Sequence, residues 1–307
     1  MVLTGAPAVE GVDCVAAVAD HVHELLRAAP LTPAYRTALA AALEAPGGIL
    51  SETPEARWTH CVLTCCSAAG GRWEQATATA GTIELFMAAL ELLDDEEDRE
   101  ESLLRFELGA ARLLNVSTGL LFLAQGSLTS AGGAQATRIL LDWALRACSG
   151  QDADLATEST AGIGITDALT GTEWKSASLA SAACQLGALC AGADSALQAL
   201  YVQFGAYLGM VAQLGNDMRA VTIGVEGKTD IALRRPTLPL VYAARQTSGE
   251  EEQKSDLWDS TVRLGTAPLA LTWVVAESYR GRALDLIPRL TVDPTGRHDL
   301  RRLVRIV

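Results

Sequence analysis

Three aspartates at the end of a long apolar segment are the first residues whose types and spacing suggest chemistry. The segment TATAGTIELFMAALELL runs into DDEEDREE, which places Asp94, Asp95 and Asp98 within about one turn of a helix. Residues three and four apart share a helix face, so these carboxylates can converge on one point, where they repel one another. Acids at a helix C-terminus also oppose the helix dipole. A hard cation such as Mg2+ would turn this arrangement into an oxygen-ligand site; the alternative is a solvated acidic helix end.

The elements that position these acids are predicted to be helices throughout. Ala and Leu dominate most segments, and apolar residues recur at three and four rather than in alternation. No repeat, linker or composition shift divides the chain, so we interpret 1–307 as a single domain, an all-α fold formed by one large helical bundle. The predicted helices are 13–28, 33–45, 55–69, 73–98, 101–128, 133–148, 173–191, 195–222, 237–247, 250–264, 267–290 and 298–306.

Composition limits the classes of function. The chain has 307 residues and a formal net charge of -13, from 24 basic and 37 acidic side chains, which argues against nucleic acid as a partner. Seven cysteines without a CxxC pair are interpreted as free thiols buried in a reducing compartment. The first residues have no signal-peptide pattern, and no apolar run is long enough to span a membrane. We therefore expect a cytoplasmic protein that is not an integral membrane protein.

Five motifs occur in the order found in one known superfamily. Asp94, Asp95 and Asp98 match a DDxxD motif, and Glu84 precedes them at the corresponding spacing. On these motifs the chain resembles the trans-isoprenyl diphosphate synthase (polyprenyl synthetase) superfamily over about residues 55–245. The other four matches are Gly150-Gln151 with Asp154-Leu155 (GQxxDL), Lys175-Ser176, Gln213 with Asn216-Asp217 (a second acidic helix), and Lys228-Thr229-Asp230 followed by RRPTLPLVYA, Arg234 to Ala243.

The resemblance implies a bundle of the class I isoprenoid synthase type around a central apolar cavity, with the two acidic helices facing each other across its mouth. Three Mg2+ ions would bridge those helices to an allylic prenyl diphosphate, and a homodimer would be formed. Metal ions and cationic side chains stabilise the leaving diphosphate, while a dry pocket protects the carbocation. The implied metal ligands are Asp94, Asp95, Asp98, Asn216 and Asp217; the implied catalytic residues are Asp94, Asp95, Asp98, Lys175 and Lys228; and the implied substrate-binding residues are Arg57, Phe86, Leu90, Arg99, Gln151, Gln213 and Arg235.

Pocket depth follows from the residues before Asp94 on the same helix. Leu90 and Phe86 lie one and two turns below Asp94, and Phe86 is about 12 Å from it at 1.5 Å per residue. If Phe86 forms the floor, the cavity has room for farnesyl or geranylgeranyl diphosphate, with 15 or 20 carbons. The alternative is that Phe86 is ordinary core packing.

Two departures from the superfamily concern a second substrate and the second acidic motif. Chain-elongating members hold isopentenyl diphosphate with a GGKxxRP segment, but Gly47-Gly48 are followed here by Ile49, and only Arg57 could supply the later arginine. The second motif reads NDMRA, with Ala220 where a third Asp would be. Asn216-Asp217 also resembles the start of the NDxxSxxxE motif of bacterial terpene cyclases, which Ala220 does not continue.

These features favour a class I terpene synthase that ionises one prenyl diphosphate and cyclises or quenches the cation internally. The first alternative is a chain-elongating polyprenyl diphosphate synthase. A second is prenyl transfer to another acceptor, as in the quorum-sensing tryptophan prenyltransferases that the chain also resembles. A non-enzyme alternative is a synthase-like partner subunit.

Overall fold

The computed structural model describes residues 14–98, 102–156, 163–222, 237–247 and 266–305. These ranges contain helices and no β-strand, so the all-α prediction is confirmed. The helices are α1 (Cys14–Ala28), α2 (Pro33–Leu43), α3 (Arg57–Ala68), α4 (Thr77–Glu97), α5 (Leu103–Leu108), α6 (Ala110–Ala156), α7 (Ile165–Thr172), α8 (Ser178–Cys190), α9 (Ser195–Thr222), α10 (Leu238–Thr247), α11 (Thr266–Leu290) and α12 (Pro294–Leu303).

Helices α4 and α9 form the interior, as their wide apolar surfaces predict. Helix α4 packs along α6 and buries Ile83, Leu85 and Phe86, while α9 lies between α8 and α11 and buries Tyr201 and Phe204. A 3₁₀ turn, Trp73–Ala76, leads into α4. Within the described residues, Trp73–Glu97 is the one segment long and apolar enough to cross a membrane; 56% of its most apolar window is buried in the bundle, as in a core helix.

Helix α6 is longer than the sequence predicts. A break was expected at Gly132-Gly133, and Gly133 does leave helical geometry with φ of 68°, a value that glycine adopts without a Cβ clash. The predicted end at residue 148 is wrong, since the helix continues to Ala156. Its last turns contain weak helix formers such as Ser149 and Gly150, which tertiary packing holds in helical form.

Other elements also differ from the prediction. Helix α7 was not predicted because its Thr and Gly residues have low helix propensity; Asp167 caps it by accepting the Gly164 N–H at 3.1 Å. Helix α12 begins at Pro294, earlier than predicted, with Asp293 as its N-cap. The predicted helix 250–264 lies outside the described residues.

The interface of α3 and α8 is built largely from cysteines. The Sγ atoms of Cys61, Cys65 and Cys184 lie within 4.8 Å of one another, and those of Cys61 and Cys184 are 3.6 Å apart. All seven cysteines are free thiols; Cys148 is exposed and Cys190 is half-buried, whereas the other five are buried. The sulfur atoms therefore pack as small apolar side chains with weak S–H donors.

Candidate active site

A π-helical turn between α7 and α8, Glu173–Ala177, carries Lys175 and Ser176. Two glycines allow neighbouring helices to approach it. A Cβ on Gly150 of α6 would lie 2.3 Å from the backbone N of Lys175, and one on Gly209 of α9 would lie 2.6 Å from Cα of Ala177. The turn is thus held between α6 and α9 at van der Waals distance, which fixes where the Lys175 side chain begins. π-Helical turns are rare and often mark functional sites.

Lys175 reaches the first acidic helix. Its Nζ lies 3.1 Å from Asp94 Oδ1 and 3.3 Å from Asp154 Oδ2, and the side chain is 25% exposed. Burial opposes the charged ammonium, but the carboxylates of Asp94 and Asp154 outweigh burial and raise the pKa of Lys175. The side chain is therefore a fixed cation beside the aspartate cluster.

Gln151 and Arg105 also hold the acidic end of α4. Gln151 Nε2 donates to Asp94 Oδ1 at 3.0 Å and to Glu97 Oε2 at 2.5 Å. Arg105 pairs with Glu96 through two hydrogen bonds of 2.8 and 3.2 Å. These donors offset the repulsion among the carboxylates, so the cluster is held in place by cations and amides from α5, α6 and the π-helical turn.

The second acidic helix is tied to the same turn. Ser176 Oγ donates to Gln213 Oε1 at 2.8 Å, and Gln213 Nε2 donates to Asp217 Oδ1 at 2.8 Å. Asp217 is buried, with 4% exposure. Ser176 fixes which end of the Gln213 amide faces Asp217, and so orients that carboxylate.

A cavity of about 660 Å³ opens between α6, α7, the π-helical turn and α9. This volume is in the usual range for small-molecule sites. Its wall includes Asp154, Lys175, Ser176, Gln213, Asn216 and Asp217. The structure thus brings predicted residues from the π-helical turn and the second acidic helix to one cavity.

Arg57 and Glu84 lie where α3 begins beside α4. Arg57 forms an ion pair with Glu55, and Glu84 Oε1 accepts the Thr59 N–H at 2.7 Å. Burial raises the pKa of Glu84 to about 7; Glu91 adds to the shift, while the Thr59 hydrogen bonds and Arg57 oppose it. This carboxyl group therefore titrates near neutral pH.

The other predicted residues are either in the core or outside the described ranges. Phe86 is 6% exposed in the main core cluster, and Leu90 is half-buried against it. Arg99, Lys228 and Arg235 lie outside the described residues, so their assigned roles stay predictions.

Sequence reasoning missed the roles of four side chains. Asp154 and Ser176 were noted within motifs but not assigned to the site, although they contact Lys175 and Gln213. Glu97 shares Gln151 with Asp94, and Arg219 donates to Asn216 Oδ1. The sequence did contain a signal for Arg219, because a basic residue inside the second acidic motif departs from the acidic character of that motif.

The two acidic helices differ in how well they suit a divalent metal. Residues 94–98 carry a formal charge of -5, and Lys175 already stands beside Asp94 as a cation. Carboxylate oxygens are the ligands that Mg2+ prefers, so this end of α4 fits a metal. Residues 216–220 have a formal charge of zero and no oxygen ligand on the Ala220 side chain, which fits a metal less well.

Solved structures with the same architecture are synthases of isoprenoid chains. The chain superposes on a decaprenyl diphosphate synthase from Rhodobacter capsulatus with a TM-score of 0.83, at 19% identity over 95% of this chain and 94% of that one. A polyprenyl synthase from Caulobacter crescentus CB15, complexed with calcium and isoprenyl diphosphate, gives 0.81 at 20% identity over 96% and 95%. The predicted isoprenoid synthase fold is confirmed.

Sequence comparison identifies the family. The family model described as Polyprenyl synthetase matches residues 55–262, so the chain belongs to the polyprenyl synthetase family, as its motifs predict. Geranylgeranyl diphosphate synthase of Mycobacterium tuberculosis is 34% identical over 130 residues, a match that spans 41% of this chain and only 35% of that relative. (2E,6E)-Farnesyl diphosphate synthase of Mycobacterium bovis is 24% identical over 275 residues, or 80% of this chain and 77% of the relative.

Proposed function

We propose that this protein is a metal-dependent prenyl diphosphate synthase, which transfers the prenyl group of an allylic diphosphate to isopentenyl diphosphate. The observation that carries the proposal is that one π-helical turn connects both acidic helices, Lys175 through Asp94 and Ser176 through Gln213 to Asp217. The names of its relatives support elongation over the internal cyclisation that the sequence alone favours.

In this mechanism the chain's own residues bind and orient the diphosphate. When bound, Mg2+ held by Asp94, Asp95 and Asp98 would supply positive charge to the leaving diphosphate. Lys175, charged and 3.1 Å from Asp94, is placed to donate a charge-assisted hydrogen bond to a diphosphate oxygen. Gln151 holds Asp94 in position through its Nε2.

The helices around the site keep water from the cation that forms when the diphosphate leaves. Apolar residues of α4, among them Leu90 and Phe86, lie one and two turns below Asp94 within the hydrophobic core. A carbocation in such surroundings meets the π electrons of its acceptor rather than water. The new carbon–carbon bond forms at that acceptor, and the proton then lost passes to the diphosphate that has already departed, which Lys175 would hold through its ammonium group.

One observation favours internal cyclisation as a second candidate. Ile49, at the position of the motif lysine, is 3% exposed and apolar, and Arg57 is already paired with Glu55. Among the described residues, this region therefore offers a second diphosphate little positive charge. Charge-assisted hydrogen bonds contribute about 1.5 to 3 kcal/mol each, so their loss would weaken isopentenyl diphosphate binding.

Product analysis separates these functions. Purified protein with Mg2+ would be incubated with geranyl, farnesyl or geranylgeranyl diphosphate, with and without isopentenyl diphosphate, and the products identified by mass spectrometry. Elongation predicts longer diphosphates only when both substrates are present, and no product from Asp94→Asn. Hydrocarbons or alcohols formed without isopentenyl diphosphate would identify a cyclase instead. Absence of diphosphate release from every substrate would favour the partner-subunit alternative.

A further inference from the structure

We propose that Arg219 binds the substrate diphosphate directly, so that a guanidinium on the second acidic helix takes the place of a metal ion there. The inference rests on the proposed function, because it assumes that a diphosphate enters this site. It predicts that fewer than the three expected metal ions accompany the diphosphate.

The first support is the hydrogen bond between Arg219 and Asn216. These residues are three apart near the end of α9, and Arg219 Nη2 donates to Asn216 Oδ1. The amide oxygen is the one atom through which the Asn216 side chain could coordinate a cation. Since a guanidinium already holds that oxygen, a metal ion would have to displace it or share a neutral ligand with a second positive charge.

The remaining ligand positions of this helix are equally weak. Ala220 offers no side-chain oxygen. Asp217 is 4% exposed, and its Oδ1 accepts from Gln213 Nε2 at 2.8 Å. One buried carboxylate that is already hydrogen-bonded to an amide offers a metal ion a weaker site than the five acids at the end of α4.

The two acidic helix ends also differ in formal charge. Residues 94–98 sum to a formal charge of -5, whereas 216–220 sum to zero because Arg219 cancels Asp217. The first segment needs cations to remain together, and the second does not. Divalent ions should therefore collect on α4, while α9 offers a diphosphate a cation that belongs to the protein.

The position of Arg219 suits this role. Asn216, Asp217 and Ala220 line the same cavity as Lys175. Arg219 is joined to this wall through Asn216. A guanidinium presents its N–H groups in a planar fork that matches phosphate oxygens, and it stays charged at every working pH. Lys175 and Arg219 would thus both donate to one diphosphate.

Two measurements on the full chain test the proposal without relying on turnover. The first is the affinity for inorganic diphosphate in EDTA, by isothermal titration calorimetry. The second is the number of Mn2+ ions bound per chain at saturating inorganic diphosphate, by electron paramagnetic resonance. The variants are Arg219→Leu, Arg219→Lys and the double variant Arg219→Leu with Ala220→Asp. Arg27→Leu is the control, since this α1 side chain is 77% exposed.

The expected results are specific to each variant. Arg219→Leu should weaken metal-free diphosphate binding by about tenfold or more, the equivalent of one charge-assisted hydrogen bond. Arg219→Lys should retain part of that affinity, and the control all of it. The double variant, which restores a carboxylate and removes the competing cation, should bind about one more Mn2+ per chain than the parent protein.

Other results would overturn the inference. Three Mn2+ per chain in the parent protein, with unchanged diphosphate affinity in Arg219→Leu, would show that α9 holds metal and that Arg219 does not contact the ligand. The proposed function would survive that outcome if elongated products still form. If the parent protein binds no diphosphate with or without metal and forms no product, both proposals fail together. Circular dichroism of each variant checks folding, and Arg219→Lys keeps the test decisive if Arg219→Leu does not fold.

Discussion

Replacing Glu84 by glutamine tests the electrostatics beneath the active site, because it removes a carboxyl group that ionises near neutral pH. Burial raises its pKa from 4.5 to about 7. One pKa unit corresponds to about 1.36 kcal/mol, so the shift is equivalent to about 3 kcal/mol of unfolding free energy. Glutamine keeps an oxygen that can accept the Thr59 N–H and cannot ionise.

The direction of the effect follows from protonation in the folded and unfolded states. Below about pH 4.5 the carboxyl group is protonated in both states, so the raised pKa contributes its full stabilisation. As pH rises towards and through 7, the unfolded chain ionises freely while the folded protein must ionise a buried group, and that stabilisation is lost. The glutamine side chain cannot ionise, so the variant does not lose stability in this way as pH rises. Its unfolding free energy relative to the parent should therefore increase by about 3 kcal/mol between about pH 4.5 and pH 8.5.

Urea unfolding followed by far-ultraviolet circular dichroism measures this difference, because the protein is helical. Both proteins would be unfolded at several pH values across this range. Glu24→Gln is the matched control, since that side chain is 68% exposed on α1, and its effect should vary little with pH. A Glu84→Gln effect that stays constant with pH, or a variant whose stability relative to the parent falls as pH rises to 8.5, would refute the assignment of a buried, neutral Glu84.

Three more outcomes are expected. Gly150→Ala should destabilise the fold by about 1 to 3 kcal/mol in urea unfolding and weaken diphosphate binding in calorimetry, because its Cβ would lie 2.3 Å from Lys175 N. Gly126→Ala is the control in the same helix, with no atom within 4 Å of its Cβ, and should leave stability unchanged or slightly raised. In native protein, Ellman's reagent should modify Cys148 first and the five buried cysteines only on unfolding, so rapid loss of all thiols would contradict the packing. The predicted homodimer should appear in sedimentation velocity, and Phe122→Glu, which changes a 68% exposed side chain on α6, is expected to shift it towards monomer if that face pairs.

The sequence predicts the aspartate cluster well because its position depends on one periodic helix. Helix α4 is mostly apolar from residue 77 to residue 93 and can hardly be placed other than inside a helical bundle, so Asp94 and Asp95 had to emerge at its end. The second acidic helix follows by the same reasoning. What joins the two helices was not predictable in this way, since Lys175 and Ser176 belong to a π-helical turn and helical periodicity assumes 3.6 residues per turn.

The close approaches of glycine were also hidden in the sequence. Gly150 is a poor helix former and favoured a helix end near residue 148. Gly150 contributes to tertiary packing, because only glycine lets α6 contact the backbone of Lys175. Glycine disfavours a helix at this position, but the close packing of α6 against Lys175 requires it, and the residue is helical in the structure. Such conflicts are expected where function depends on close packing.

Side chains from three other elements hold the acidic end of α4 together. Five adjacent acids at a helix C-terminus would repel one another and oppose the dipole, yet Lys175, Gln151 and Arg105 each hold one or two of them. Lys175 Nζ lies 3.1 Å from Asp94 Oδ1, so a metal ion bound by Asp94 would compete with the ammonium for this carboxylate. The contact between Lys175 and Asp94 therefore stabilises the carboxylate cluster and keeps the ammonium beside the residues that would bind a metal and a diphosphate.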